Sequence, residues 1–320
     1  MHTWRTWHRP LVVFSALMVL LTVATGIGLI VDGRTVAHAP VWFKPFKFSV
    51  SFVAYGLSLA WMVSLLPAGR RARIGHWAGT VVAAASLTEM VLVVGQAARG
   101  KRSHFNTETP LDASLFALMG VTVLILWLGS LVIAVLVLRT KILDRAASLA
   151  VKAGAVLALA GAALGFLMTR PTAAQLKAGI TDTTGAHGVG VADGGPSMAV
   201  TGWASTGGDL RIPHFVGMHS LQLLPLAVLL MVALAPRLAR LADPRVRLRL
   251  TAVLSASYAA LLGLVTWQAL RGQALVAPDG LTLAAAGALV LATAAGILFA
   301  LRTGPVEQRP RHDRDKELVA

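Results

Sequence analysis

Eight apolar runs dominate the sequence, and each is about as long as a lipid bilayer is thick. A helix needs roughly 20 apolar residues to cross a hydrocarbon core of about 30 Å. With 56% hydrophobic and 13% charged residues, the chain is also too apolar to solvate its own surface. The sequence therefore predicts an all-α, polytopic transmembrane helix bundle with spans near residues 11–31, 47–66, 77–97, 113–138, 147–168, 214–235, 251–270 and 281–301.

The distribution of basic residues predicts how these spans are oriented. If the N-terminus is inside, the cytoplasmic segments hold 19 of the 29 Lys and Arg residues, which agrees with the enrichment of positive charge in cytoplasmic loops. The long outer loop 169–213 has three basic residues, whereas the short inner loop 236–250 has five. We therefore predict an N-in, C-in protein of the bacterial inner membrane. Topology then explains the net charge of +15, and no nucleic-acid partner is expected.

The domain organisation follows from the same pattern. Residues 1–301 are predicted to form a single transmembrane bundle, and residues 302–320 a polar, disordered cytoplasmic tail. A cleaved signal peptide is the rival interpretation of the first span, because Ala37, His38 and Ala39 imitate a cleavage site. The apolar run is too long for that interpretation, and Pro40 would follow the cut. The absence of cysteine excludes disulfides, thiolate metal sites and cysteine nucleophiles.

Glu89 is the only carboxylate that falls well inside a predicted span. An ionisable group in a membrane is costly, usually faces the bundle interior and often serves a function. Gln96, seven residues further on, lies on nearly the same helix face. The alternative is structural: Glu89 is protonated, or bonded to a neighbouring helix, and only ties the bundle together.

The stretch 208–222, GDLRIPHFVGMHSLQ, contains the densest group of polar residues near a span. His214 and His219 are five residues apart and point roughly 140° away from each other on a helix, so they cannot share one ion if that helix is regular. His219 and Gln222 do share a face. At about 1.5 Å of rise per residue, His219 lies about 9 Å and Glu89 about 12 Å below the outer surface. Their similar depth predicts that they meet between helices.

Further polar residues surround this predicted outward-facing site. Lys44 and Lys47 begin the second span, where they either snorkel beside an aromatic belt or bind an anion. The loop after the third span is either solvated or part of the site, and His187, Asp193 and Trp203 of the long outer loop are expected to cover it. The other candidates at the rim are Gln96, Arg99, His104, Asn106, Asp209, Arg211 and Gln268.

Three functions fit such a site. The first is binding of haem or a divalent metal ion by His219 with His104 or His214, with Arg211 suited to haem propionates. The second is an intramembrane enzyme in which Glu89 and His219 act as acid and base on a lipid-linked or anionic substrate. The third is a transporter in which Glu89 carries a proton. In each case the partners are the lipid bilayer and a small molecule from the extracytoplasmic side. The alternative without function is a polar network that only fixes the bundle.

Four motifs, KPFKFSVS, QAARGKRSHFN, DGGP and GDLRIPHFVGMHSLQ, resemble those of a family of bacterial multi-pass membrane proteins without an assigned activity. The resemblance spans most of the chain. It implies an eight-helix inner-membrane protein, and it implies no cofactor or catalytic residue.

Overall fold

A computed structural model describes residues 6–302 and contains, within that range, eight helices long and apolar enough to cross a membrane. The prediction of an all-α protein with eight helices that could span a membrane is thus confirmed. These helices are α1 (Arg9–Val31), α2 (Phe43–Ser64), α3 (Arg70–Ala98), α4 (Pro110–Leu138), α5 (Arg145–Met168), α7 (Arg211–Leu234), α9 (Pro244–Leu270) and α10 (Gly280–Leu301). Of the predicted tail, only Arg302 belongs to the described residues, and it caps α10.

Short elements occupy the connections between the long helices. They are helices α6 (Ala173–Ala178) and α8 (Ala239–Ala242) and strands β1 (Thr35–Val36), β2 (Ala39–Pro40), β3 (Gly188–Val189) and β4 (Gly208–Asp209). β1 pairs with β2 and β3 with β4, both antiparallel.

Helices α3 and α9 begin about two turns before the apolar runs that predicted them. Their first turns carry basic residues, RRAR and PRVR, which are good helix formers but do not count as apolar. Asp243 marks the true start of α9, because its side chain accepts a hydrogen bond from the backbone N–H of Arg245, and Pro244 follows as the first helical residue.

Consecutive long helices pack as hairpins: α1 with α2, α3 with α4, α5 with α7, and α9 with α10. The helices α1–α4 form one half of the bundle, and the later ones form the other; the halves meet where α4 packs on α5 and α2 on α7. The closest approach is between α5 and α7. A Cβ on Gly161 would lie 2.5 Å from the Cα of Gly217, so only glycine fits there.

The loops that join α3 to α4 and α5 to α7 lie together at one end of the bundle, which we call the loop end and which topology predicts to face outward. The backbone N–H of Thr107 donates to the carbonyl of Asp182, and that of Thr184 donates to the carbonyl of Phe105, both at 3.0 Å. This strand-like pairing attaches the long loop to the shorter one. Because β3 then pairs with β4, the same loop leads directly into α7.

Candidate functional site

Glu89 lies inside the bundle, on α3, and only 2% of its side chain is exposed. Its Oε2 accepts a hydrogen bond of 2.9 Å from the hydroxyl of Thr122 on α4. Its Oε1 has no hydrogen-bond partner among the described residues, although Nε2 of His104 lies 3.5 Å away. Buried polar atoms in proteins are normally hydrogen-bonded. The unpaired Oε1 therefore suggests a site that is completed by a bound molecule.

His104 comes from the loop between α3 and α4 and closes the site above Glu89. Aromatic rings hold the imidazole, with centroid distances of 5.9 Å to Phe48 and 6.2 Å to Phe105. The hydroxyl of Ser103 lies 3.1 Å from Nδ1. Burial lowers the pKa of His104 well below its usual range, and the nearby charges of Lys44 and His187 add to this effect. The ring is therefore neutral at pH 7, and a proton can pass between it and Glu89.

Phe105 holds this arrangement together in an uncommon backbone conformation. Its φ angle is 63°, in the left-handed region that bulky residues rarely adopt. Gly185 of the long loop packs against the ring so closely that a Cβ there would lie 3.0 Å from a ring carbon and 2.3 Å from the carbonyl oxygen of Met168. Strained conformations of this kind persist where the surrounding structure enforces them, often at functional sites. Here the strained residue directly follows His104 in the chain and its ring packs against the imidazole.

Lys44 brings a positive charge to the same place from the first turn of α2. Its Nζ lies 5.6 Å from the centroid of the Phe48 ring, and it forms no hydrogen bond or ion pair among the described residues. The charges of Glu89 and Asp193 are close enough to act on it. A partly buried ammonium group without a partner is suited to bind an anion.

The two other predicted cations near the site, Lys47 and Arg211, already have partners. Lys47 donates to the carbonyl of Thr201 at 2.9 Å and lies over the ring of Phe43. Arg211 donates to the carbonyl of Gly202 and forms an ion pair with the fully buried Asp209. These residues hold the long loop against the starts of α2 and α7.

Gln96, Arg99 and Asn106 form a network that shapes the loop between α3 and α4. Gln96 and Arg99 each donate to Asp112 at 2.9 Å, and Asn106 bonds the backbone of Arg102 and Glu108. Gln268 donates to the carbonyl of Ala274 and fixes the turn after α9, away from this network. Each of the four side chains thus has a structural partner.

The predicted pairing of Glu89 with His219 is not formed. Glu89 contacts His104 and Thr122 instead, while His219 is exposed on α7 with Phe215 as its ring partner. Equal depth was the basis of the prediction, but depth does not specify which helix faces which. Gln222, on the neighbouring face of α7, donates to Ser58 at 3.1 Å.

The predicted histidine ligands for haem or a metal ion each contact other groups. The Nδ1 atom of His214 lies 2.9 Å from the carbonyl of Gly161, and the ring contacts of His104 and His219 are with different residues. Across residues 6–302, no three His, Cys, Asp or Glu side chains are grouped so that they could hold a metal ion.

His187 and Asp193, predicted as cover residues, do lie over the site. Their side chains pair at 2.8 Å, and the His187 ring packs edge-on against Phe105 with a centroid distance of 4.8 Å. Phe116 of α4 also packs on the site, with its ring centroid 6.3 Å from that of His104. Sequence reasoning missed Thr122, Phe48 and Phe116, because a threonine or a phenylalanine in an apolar run carries no signal of a site. Trp203, the third predicted cover residue, follows the two carbonyls to which Lys47 and Arg211 donate.

Two grooves lie elsewhere on the surface, between α5 and α9 and between α9 and α10. Their volumes are about 550 and 440 Å³, and both pass Trp267. Their linings are almost entirely apolar, and the one charged residue in them, Arg271, pairs with Asp279. Such grooves suit lipid chains and offer no group for chemistry, so the polar cluster at the loop end is the better candidate site.

Comparisons with protein-family models, curated proteins and solved structures found no match for this chain.

Proposed function

We propose that this membrane protein is an enzyme that binds an anionic substrate at the loop end and transfers a proton to or from it. Lys44 binds the anion, and the Glu89–His104 pair handles the proton. The free Oε1 of Glu89, buried 3.5 Å from the imidazole of His104, is the observation that carries the proposal. This is the second of the three functions predicted from the sequence, with His104 in the place of His219.

The arrangement of charges supports this function. An ammonium group without a partner among the described residues lies near the carboxyl group of Glu89 and a neutral imidazole, and Phe48 contacts both Lys44 and His104. A proton that moves between Glu89 and His104 therefore moves beside the bound anion. General acid–base catalysis of this type contributes about 10²–10⁴-fold to a rate.

Anion binding by the purified full-length protein tests the proposal. The probes are inorganic phosphate, inorganic pyrophosphate and nanodiscs that contain phosphatidylglycerol or phosphatidylcholine, and the measurement is the midpoint of thermal unfolding. We expect an anion to raise the midpoint in the wild type and not in Lys44→Gln. Stabilisation by the soluble anions indicates a free substrate, whereas stabilisation by phosphatidylglycerol alone indicates a lipid headgroup.

Lys101→Gln is the matched control, because Lys101 lies in the loop between α3 and α4 but pairs with Glu108 at 2.9 Å. It should respond to the anions as the wild type does. The proposal fails if no probe stabilises the wild type, or if Lys44→Gln responds fully.

The other two predicted functions are separated by two measurements. A Soret band or a stoichiometric metal ion in the isolated protein would favour haem or metal binding at His104 and His219. Loss of proton-coupled uptake in Glu89→Gln, with anion turnover unchanged, would favour transport.

A further inference from the structure

The long loop brings a second histidine–carboxylate pair, His187 and Asp193, to the proposed site. We infer that His187 is the general base of this site, oriented by Asp193, and that the Glu89–His104 pair is the proton donor. This inference rests on the proposed function and adds a class of substrate, an anionic ester or anhydride that is cleaved by water.

The hydrogen bonds of Asp193 orient the ring of His187. The carboxylate accepts from the backbone N–H of His187 at 3.0 Å and of Gly188 at 2.9 Å, and its Oδ2 lies 2.8 Å from Nδ1 of His187. Burial alone would raise the pKa of Asp193, but these hydrogen bonds outweigh it and hold the pKa below the usual range. The ionised carboxylate can only accept, so Nδ1 carries a proton and Nε2 of the neutral ring keeps a free lone pair.

Phe105 places the two histidines on one site. Its ring contacts His187 at 4.8 Å and His104 at 6.2 Å, so the imidazoles are no further apart than these two distances together. About a fifth of each histidine side chain is exposed, 22% for His187 and 18% for His104. Both rings are therefore held by packing and remain within reach of a small molecule.

The charges around His187 favour its neutral, basic form. Burial lowers the pKa of His187; Asp193 opposes this, while the positive charges of Arg211 on α7 and Lys44 on α2 lower the pKa further. His104 and His214 are the other titratable groups that face it. A neutral imidazole with a fixed orientation is the form that a general base requires.

A base and an acid beside one cation match a reaction that removes one proton and delivers another. In the cleavage of a phosphate ester or anhydride, a water oxygen forms a bond to phosphorus as Nε2 of His187 takes its proton. The bond from phosphorus to the leaving oxygen then breaks, and that oxygen takes the acidic proton of the Glu89–His104 pair, which starts the cycle as a protonated Glu89 carboxyl beside the neutral imidazole. Release of the proton from His187 to water and reprotonation of the pair complete the cycle.

Histidine modification by diethyl pyrocarbonate, resolved by residue with mass spectrometry, tests the inference on the full-length protein. This reagent reacts with the lone pair of a neutral imidazole. We expect inorganic pyrophosphate to slow the modification of His187 at least fivefold in the wild type and in Lys101→Gln. In Lys44→Gln, pyrophosphate should not protect His187.

The variant Asp193→Asn tests the role of the carboxylate. Loss of its negative charge should move the midpoint of His187 modification to lower pH and leave that of His104 in place. An unchanged midpoint would overturn the orienting role of Asp193. Thermal unfolding in the same buffers separates the two proposals: if pyrophosphate stabilises the protein through Lys44 but leaves His187 unprotected, the inference fails and the proposed function stands. If phosphatidylglycerol alone stabilises the wild type, those nanodiscs replace pyrophosphate in the protection experiment. If no probe stabilises the wild type, both fail.

Discussion

At the scale of single residues, Glu89 shows how a membrane interior makes one side chain informative. Both oxygens of its carboxyl group are buried, and within residues 6–302 only one of them has a donor, the hydroxyl of Thr122. The same hydroxyl lies 2.9 Å from the carbonyl of Met119, although it has one proton to donate. Thr122 can therefore bond Glu89 in two ways. Either it donates its proton to the carboxylate, or it donates to Met119 and accepts a hydrogen bond from a protonated Glu89.

The first prediction concerns this bond. Thr122→Val should lower the free energy of unfolding by about 1–3 kcal/mol, because a buried oxygen of Glu89 loses its partner. Thr88→Val is the matched control on α3, since Thr88 is exposed and bonds only to the backbone of its own helix; it should change the free energy by less than about 0.5 kcal/mol. Equilibrium unfolding in detergent measures both. Equal effects of the two substitutions would contradict the assigned bond.

His8 gives a prediction at the opposite end of the bundle. Its Nδ1 accepts from the backbone N–H of Leu11 and caps α1, and its Nε2 lies 2.9 Å from the carbonyl of His76 on α3. Burial, with a smaller contribution from His76, lowers the pKa of His8 from 6.5 to about 4. Between these values the unfolded chain binds more protons than the folded one. The stabilisation is therefore complete above pH 6.5 and is lost as the pH falls towards 4.

At pH 4.5 the linked loss should be about 2–3 kcal/mol, since one pKa unit corresponds to about 1.4 kcal/mol. His8→Asn keeps an acceptor for the cap and does not titrate. The free energy of unfolding should therefore decrease more in the wild type than in the variant when the pH is lowered from 7 to 4.5. Parallel decreases would show that His8 is not the group responsible.

At the scale of elements, the contact between α5 and α7 depends on backbone rather than on side chains. Gly161 and Gly217 touch directly, and the hydroxyl of Ser220 donates to the carbonyl of Gly154 at 2.9 Å. The carbonyl of Gly161 also lies 2.9 Å from Nδ1 of His214. Separation of the two helices would break each of these contacts together.

Gly161→Ala should therefore cost about 2–4 kcal/mol, because a methyl group would meet backbone that cannot move aside. Gly287→Ala is the matched control: Gly287 is also helical, on α10, but a Cβ there would have no atom within 4 Å. That substitution should be neutral or stabilising by up to about 1 kcal/mol, since alanine is the better helix former. Thermal unfolding of both variants measures these effects. A Gly161→Ala protein as stable as the wild type would contradict the close packing.

The elements also show what the sequence could and could not predict. Apolar length predicted every span, because it depends on the bilayer alone, and the rarity of carboxylates in spans singled out Glu89. The partner of Glu89 was missed because His104 lies in a loop, and a loop can fold back over the bundle at any depth. Likewise, no local pattern distinguishes the left-handed Phe105 from another loop aromatic, although it places both histidines. Asp193 was recognised as a cover residue, but its pairing with His187 depends on the fold of the loop.

At the scale of the whole molecule, the candidate site lies where the two halves of the bundle meet. The first half supplies Lys44, Glu89 and His104, and the loop that leads into the second half supplies His187 and Asp193. The paired segments 105–107 and 182–184 connect these contributions.

Which side of the membrane this site faces depends on the topology, which remains a prediction from charge. The sequence has no cysteine, so a single introduced thiol reports its own location without background. Val200 is 82% exposed in the long loop, and Leu143 is 91% exposed in the connection from α4 to α5 at the opposite end. In intact cells, a membrane-impermeant maleimide should label Val200→Cys. Leu143→Cys should be labelled only after the cells are permeabilised. The wild type should not be labelled in intact or in permeabilised cells. The reverse pattern would place Lys44, Glu89 and both histidines on the cytoplasmic side, and the substrate would then have to come from inside the cell.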